Sequence, residues 1–117
     1  MPANWKFNID AGATLSKVRD GAVRGLFLAA EHILYESNKQ VPIEEGTLER
    51  SGRTSVDGDS LRAAVSYDTP YAVVQHEDMT LHHDAGRNAK FLENAMNSEV
   101  QVARSIIAAQ IRKALGT

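Results

Sequence analysis

From Leu15 to Leu34 apolar residues recur every three or four positions, a pattern that suits a helix and no strand. Leu15, Val18, Ala22, Leu26, Ala29 and Ile33 form one stripe, and Val23, Phe27, Ala30 and Leu34 widen it. Lys17, Arg19, Asp20, Arg24, Glu31, Glu36 and Lys39 lie mostly opposite. The spacing predicts a helix over 11–40. Pro42 closes it, because the residue before a proline is pushed out of helical geometry. Gly12, Gly21 and Gly25 each cost such a helix about 1 kcal/mol relative to alanine. Gly21 and Gly25 are one turn apart, which would admit another backbone. In a soluble protein that spacing is more often incidental than a contact motif, and it is read here as incidental.

A second helix is expected over 89–115, with Asn88 as its cap. Leu92, Met96, Val100, Ala103, Ile107, Ile111 and Ala114 keep the helical spacing, Phe91, Ala95, Val102 and Ile106 broaden the face, and Gly116 stands where a helix ends. Between the helices, residues 52–56 and 61–67 read as a β-hairpin. Leu61, Ala63, Val65 and Tyr67 alternate with Arg62, Ala64 and Ser66. Asp57-Gly58-Asp59 supplies the turn, with Gly58 taking the positive φ that tight hairpin turns need. Residues 41–51 read as a turn and one helical turn capped by Thr47. Thr69-Pro70 starts a further element, and Tyr71 to His76 fits either a short helix or a strand. Residues 78–88 read as loop. At the front, Trp5, Phe7 and Ile9 alternate with Lys6 and Asn8, as in an edge strand or arm on the chain's own core, or an arm that packs on a neighbouring subunit. The fold class is therefore α+β: an arm over 1–9, then one domain over 10–117, with two long amphipathic helices on one face of a small antiparallel sheet.

Composition narrows the function classes. With 117 residues there is room for one core. A net charge of −2 argues against a general nucleic-acid binder, which needs a cationic surplus to neutralise phosphates. Without cysteine there is no disulfide framework and no thiolate chemistry. The longest apolar run, Leu26 to Ala30, is too short to span a bilayer, and no signal peptide is expected.

His76, Glu77, Asp78, His82, His83 and Asp84 place six potential metal ligands within nine residues. Their spacing matches no strong metal signature, so they read as a polar loop. The alternative is a metal-dependent hydrolase or nuclease built on this cluster. Ser37, Ser51 and Ser66 lack the context of an activated nucleophile. Arg50, Arg53 and Arg62 are expected to gather near the hairpin beside Arg87 and Lys90. Glu44, Glu45, Glu49, Asp57 and Asp59 interleave with them, a mixture that suits protein contacts better than phosphate. No catalytic, cofactor-binding or metal residues are assigned, and no enzyme activity or cofactor is expected.

Two stretches carry a resemblance. One is Val41-Pro42, Gly46-Thr47-Leu48 and Ser51 followed by a hairpin. The other is Tyr71-Ala72-Val73-Val74-Gln75-His76-Glu77, a loop, then Gly86 and Ala89-Lys90-Phe91-Leu92-Glu93 with Ala95. Together, in this order between two long helices, they resemble the small head–tail joining proteins of long-tailed phages, also called minor capsid, neck or tail-completion proteins, and are similar to the HK97 group. Many members carry an acid followed by Gly-Thr after the Tyr-Ala segment, where this chain has His76-Glu77-Asp78-Met79-Thr80. The neck layer (stopper, neck, tail completion or terminator) is thus left open.

The resemblance implies an α+β structural protein of the virion, not an enzyme, in a ring between portal and tail. A hexamer is favoured over a dodecamer. Its partners would be copies of itself, a portal, adaptor or stopper protein, and a tail terminator or tail tube protein. DNA would pass through without specific binding, and no membrane is involved. The motif positions are Pro42, Gly46, Leu48, Ser51, Tyr71, Ala72, His76, Glu77, Phe91 and Leu92, mostly fold-making. Protein contacts are expected from Trp5 and Phe7 in the arm, Asp57 and Asp59 at the hairpin tip, and Glu77, His82, His83 and Arg87 in the following loop. The competing readings are the metal-dependent hydrolase and a small cytoplasmic binding module.

Overall fold

A computed structural model describes residues 11–41, 50–67, 75–78 and 90–116, residues 75–78 and Lys90 by their backbone alone. The elements run α1 (Ala11–Asn38), β1 (Arg53–Asp57), β2 (Arg62–Tyr67), β3 (Gln75–Asp78), α2 (Lys90–Ser98) and α3 (Val100–Leu115). The architecture is α+β, with helices packed on a small antiparallel sheet.

The sheet has the order β1-β2-β3, with β2 central. Thr54 pairs with Val65 and Val56 with Ala63, while Val65 pairs with Glu77 and Ser66 with His76. Ala63, Val65 and Tyr67 point to the buried side, as the alternation in β2 predicts. The C-terminal half of α1 covers them through Ala29, Ala30 and Ile33, joined by Leu92, Ala95 and Met96 of α2. Tyr67 closes this core. Its ring meets Phe91 edge-on at 5.2 Å. Its hydroxyl donates to Asn38 Oδ1 at 2.6 Å and shares a hydrogen bond with the Ser37 hydroxyl at 2.9 Å. Tyr67 and Ser37 are both fully buried, and these hydrogen bonds give each hydroxyl a partner.

The N-terminal half of α1 has a different neighbour. A Cβ on Gly21 would stand 2.8 Å from the Gln110 carbonyl oxygen and from Ile111 Cα. A Cβ on Gly25 would stand 2.7 Å from Ile107 Cα. The two glycines are therefore a contact motif, not an incidental pair: each lets the α3 backbone into the space of a methyl group. Going up α1 from Gly21 to Gly25 to His32, the partners come down the other chain segment from Ile111 to Ile107 to Glu99, so the two helices run antiparallel.

Two features of the helices differ from the sequence expectation. The second helix is broken at Glu99, whose φ −107° and ψ 10° leave helical geometry. The Ala95 carbonyl accepts both the Glu99 N–H at 3.0 Å and the Ser98 hydroxyl at 3.4 Å, the kind of back-bonding that bends helices. The bend splits the element into α2, which packs on the core, and α3, which follows α1. Leu15 also departs from expectation: it belongs to the apolar stripe yet is 68% exposed. In the antiparallel pairing α3 ends at Leu115, so the first turns of α1 extend past their partner. The C-terminal expectation holds. Gly116 takes φ 80° and its N–H bonds the carbonyls of Arg112 and Lys113.

The hairpin turn also solves its geometry in another way. The connection runs over four residues, Gly58 to Leu61, and the positive φ falls on Leu61 at 54°, not on Gly58. Asp57 Oδ1 holds the turn by accepting from the backbone N–H of Asp59 at 2.9 Å and of Ser60 at 3.4 Å. A left-handed leucine costs about 1–2 kcal/mol. Leu61→Gly removes that strain and is expected to raise stability by about 0.5–1 kcal/mol after glycine's own entropy cost, measured by urea unfolding.

Candidate interaction surface

Arg19 on α1 reaches across to the hairpin tip and donates to the carbonyls of Gly58 at 2.8 Å and Asp59 at 3.3 Å. This fixes the tip against Val23, whose Cγ2 would lie 3.5 Å from a Cβ on Gly58. A shallow groove results, lined by Arg19, Asp20, Val23, Arg24, Phe27 and the tip. Phe27, 48% exposed, is the large apolar residue on this surface. Guanidinium and carboxylate groups rim it together, which fits a protein contact better than a phosphate one.

Asp57 and Asp59, both expected as contact residues, divide here. Asp59 is exposed at the tip, whereas Asp57 is engaged in the turn. Hydrogen bonds from the Ser60 side chain first, then from the backbone N–H groups of Asp59 and Ser60, hold the Asp57 carboxyl below the usual carboxylate range, helped by the charge of Arg62. A depressed folded pKa contributes stability above the unfolded value, and that contribution is lost as the pH falls through the folded one. Asp57→Ala is expected to raise exchange of the Asp59 and Ser60 amides at neutral pH. The gap to the wild type should close as the pH falls below the usual carboxylate range and the Asp57 carboxylate protonates.

Arg50, Arg53 and Arg62 do not gather. Arg53 donates to the carbonyls of Arg50 at 2.9 Å and Gly52 at 2.8 Å, at the open end of the hairpin. Arg62 pairs in register with Asp57 at the other end. Extended strands separate the two ends, so a cationic cluster there has no structural basis.

His76 and Glu77, with Asp78, lie on strand β3 and not in a loop. Their register partners are Ser66, Val65 and Ala64. Phe91 and Leu92 are fold-making: Leu92 is fully buried and Phe91 packs on Tyr67. Ser51 is half-buried just before β1. Trp5, Phe7, Pro42, Gly46, Leu48, Tyr71, Ala72, His82, His83 and Arg87 lie outside the described residues.

One cluster was not anticipated. His32 and Glu36, one turn apart on α1, meet Glu99 at the α2–α3 bend, and one ligand atom from each lies within 4.8 Å of the others. His32 Nε2 donates to Glu99 Oε1 at 2.6 Å, with side-chain exposures of 27% and 20%. Lys39 joins from the edge, 3.1 Å from Glu36 Oε1 and 4.5 Å from the Tyr35 ring centre. The hydrogen bond to Glu36 holds Lys39 above the ordinary lysine value. The His32-x-x-x-Glu36 spacing was legible in the sequence. The third member, 67 positions from His32, was not.

No family model, curated protein or solved structure matches this chain. Among the described residues no helix is long and apolar enough to cross a membrane. The fold places the chain in the α+β class.

Proposed function

We propose that this chain is a structural subunit of the head–tail junction of a long-tailed phage virion, assembling with copies of itself into a ring, hexameric by preference. The observation that carries the reading is the ordered pair of stretches, Val41 to Ser51 and Tyr71 to Ala95, set on either side of a hairpin, after the long α1 and running into α2. The ring would join portal, adaptor or stopper to tail terminator or tail tube, and DNA would pass through its lumen. A closed ring requires a heterologous interface, in which two different surfaces of one subunit meet. The groove at the hairpin tip, with exposed Phe27, supplies a candidate for one of them. A net charge of −2 suits a lumen that must not grip the phosphates passing through it.

The test is mass spectrometry of purified virions together with cryo-electron microscopy of the junction. The expected result is this chain in the particle and symmetric density of its fold between head and tail. A chain absent from the particles overturns the reading.

A further inference from the structure

We propose that His32, Glu36 and Glu99 form a binding site for one divalent transition-metal ion, zinc being the reference case, that ties α1 to the bend between α2 and α3. Imidazole nitrogen with two carboxylate oxygens is a donor set such ions accept. Two donors stand one turn apart on α1 and the third sits at the one-residue bend between α2 and α3, so packed helices flank all three. Their ligand atoms already converge within 4.8 Å. An ion about 2.1 Å from each would set them about 3.4 Å apart in a tetrahedral arrangement. His32 and Glu99, now 2.6 Å apart around a shared proton, would open slightly, and Glu36 would swing in. Ligation through Nε2 requires the imidazole to carry its proton on Nδ1. Partial exposure of His32 and Glu99 leaves an entry path and a fourth position for water.

A second observation points the same way. The cluster already draws a cation, the Lys39 ammonium at 3.1 Å from Glu36. Once His32 ligates as a neutral imidazole, two carboxylates against one ammonium leave a negative charge that a divalent ion would offset. Lys39 is therefore a competitor for Glu36, and its removal has a consequence that a purely structural cluster would not show.

The experiment uses the full chain carrying His82→Ala and His83→Ala, so that those imidazoles add no signal. Stripped with a chelator, it is titrated with Zn2+ by calorimetry and native mass spectrometry. One bound ion is expected, with a melting temperature that rises with free ion. Losing even a partner of a metal ligand weakens binding about 10–100-fold, so His32→Gln and Glu99→Gln should each weaken it at least that much. Lys39→Gln should tighten it. Binding that is undetectable, or unchanged in both His32→Gln and Glu99→Gln, overturns the proposal. Should those variants fail to fold, Mn2+ added to the otherwise unsubstituted chain is followed by NMR. Selective broadening of amides around residues 32, 36 and 99 is expected, and broadening confined to other segments overturns the proposal.

Discussion

Gly25→Ala should destabilise the protein even though alanine is the better helix former. On propensity alone the substitution gains about 1 kcal/mol. The new Cβ would lie 2.7 Å from Ile107 Cα, a backbone atom that cannot move without shifting α3. Overpacking of this kind costs about 1–3 kcal/mol, and more when the whole helix must translate. Gly21 faces the same obstruction from Gln110 and Ile111. The double variant Gly21→Ala/Gly25→Ala is expected to cost about 2–5 kcal/mol, a large share of the 5–15 kcal/mol that holds a typical domain. Gly12→Ala is the control. Gly12 is exposed in the first turns of α1, where the propensity gain meets no opposing helix. Urea unfolding of the three variants checks the result. Equal stabilisation at Gly12 and Gly25 would mean that α3 does not pack on α1 as described.

Tyr67→Ala should cost about 3–5 kcal/mol, the usual range for emptying a buried aromatic site. Three losses combine: the ring volume at the centre of the core, the edge-on contact with Phe91, and the hydroxyl that satisfies Ser37 and Asn38. Tyr67→Phe separates them. It keeps the ring and leaves the fully buried Ser37 without this partner, at about 1–3 kcal/mol. Adding Ser37→Ala to Tyr67→Phe should cost less than the sum of the two singles, because the second change removes the group that the first left orphaned. Equilibrium unfolding of the three variants gives the coupling directly.

The two helical patterns and the alternating hairpin were legible because burial period is written into the chain locally. Three or four residues per repeat at 15–34 and two per repeat at 61–67 leave little choice of element. Other features were not legible for identifiable reasons. The bend at Glu99 lies inside an unbroken apolar repeat, so periodicity passed through it. At the bend the Ala95 carbonyl takes two donors, a feature that periodicity does not encode. The positive φ at Leu61 escaped because turn chemistry pointed to Gly58, while the actual connection is four residues long and is held by Asp57. The arginines were expected together because they are near in sequence, but an antiparallel hairpin puts Arg53 and Arg62 at its opposite ends.

What the sequence determined by itself is the class of fold: period fixes which elements form, and two amphipathic helices with a small sheet can bury their apolar faces only by layering. The tertiary structure alone decided what each position faces. Gly21 and Gly25 reveal their purpose only when α3 is present to occupy the missing methyl space. His32, Glu36 and Glu99 become a cluster only when antiparallel pairing brings residues far apart in the chain within a few ångströms. Periodicity is a property of neighbours along the chain, whereas packing partners and ligand sets are properties of neighbours in space, and the second is set only once the chain has closed on itself.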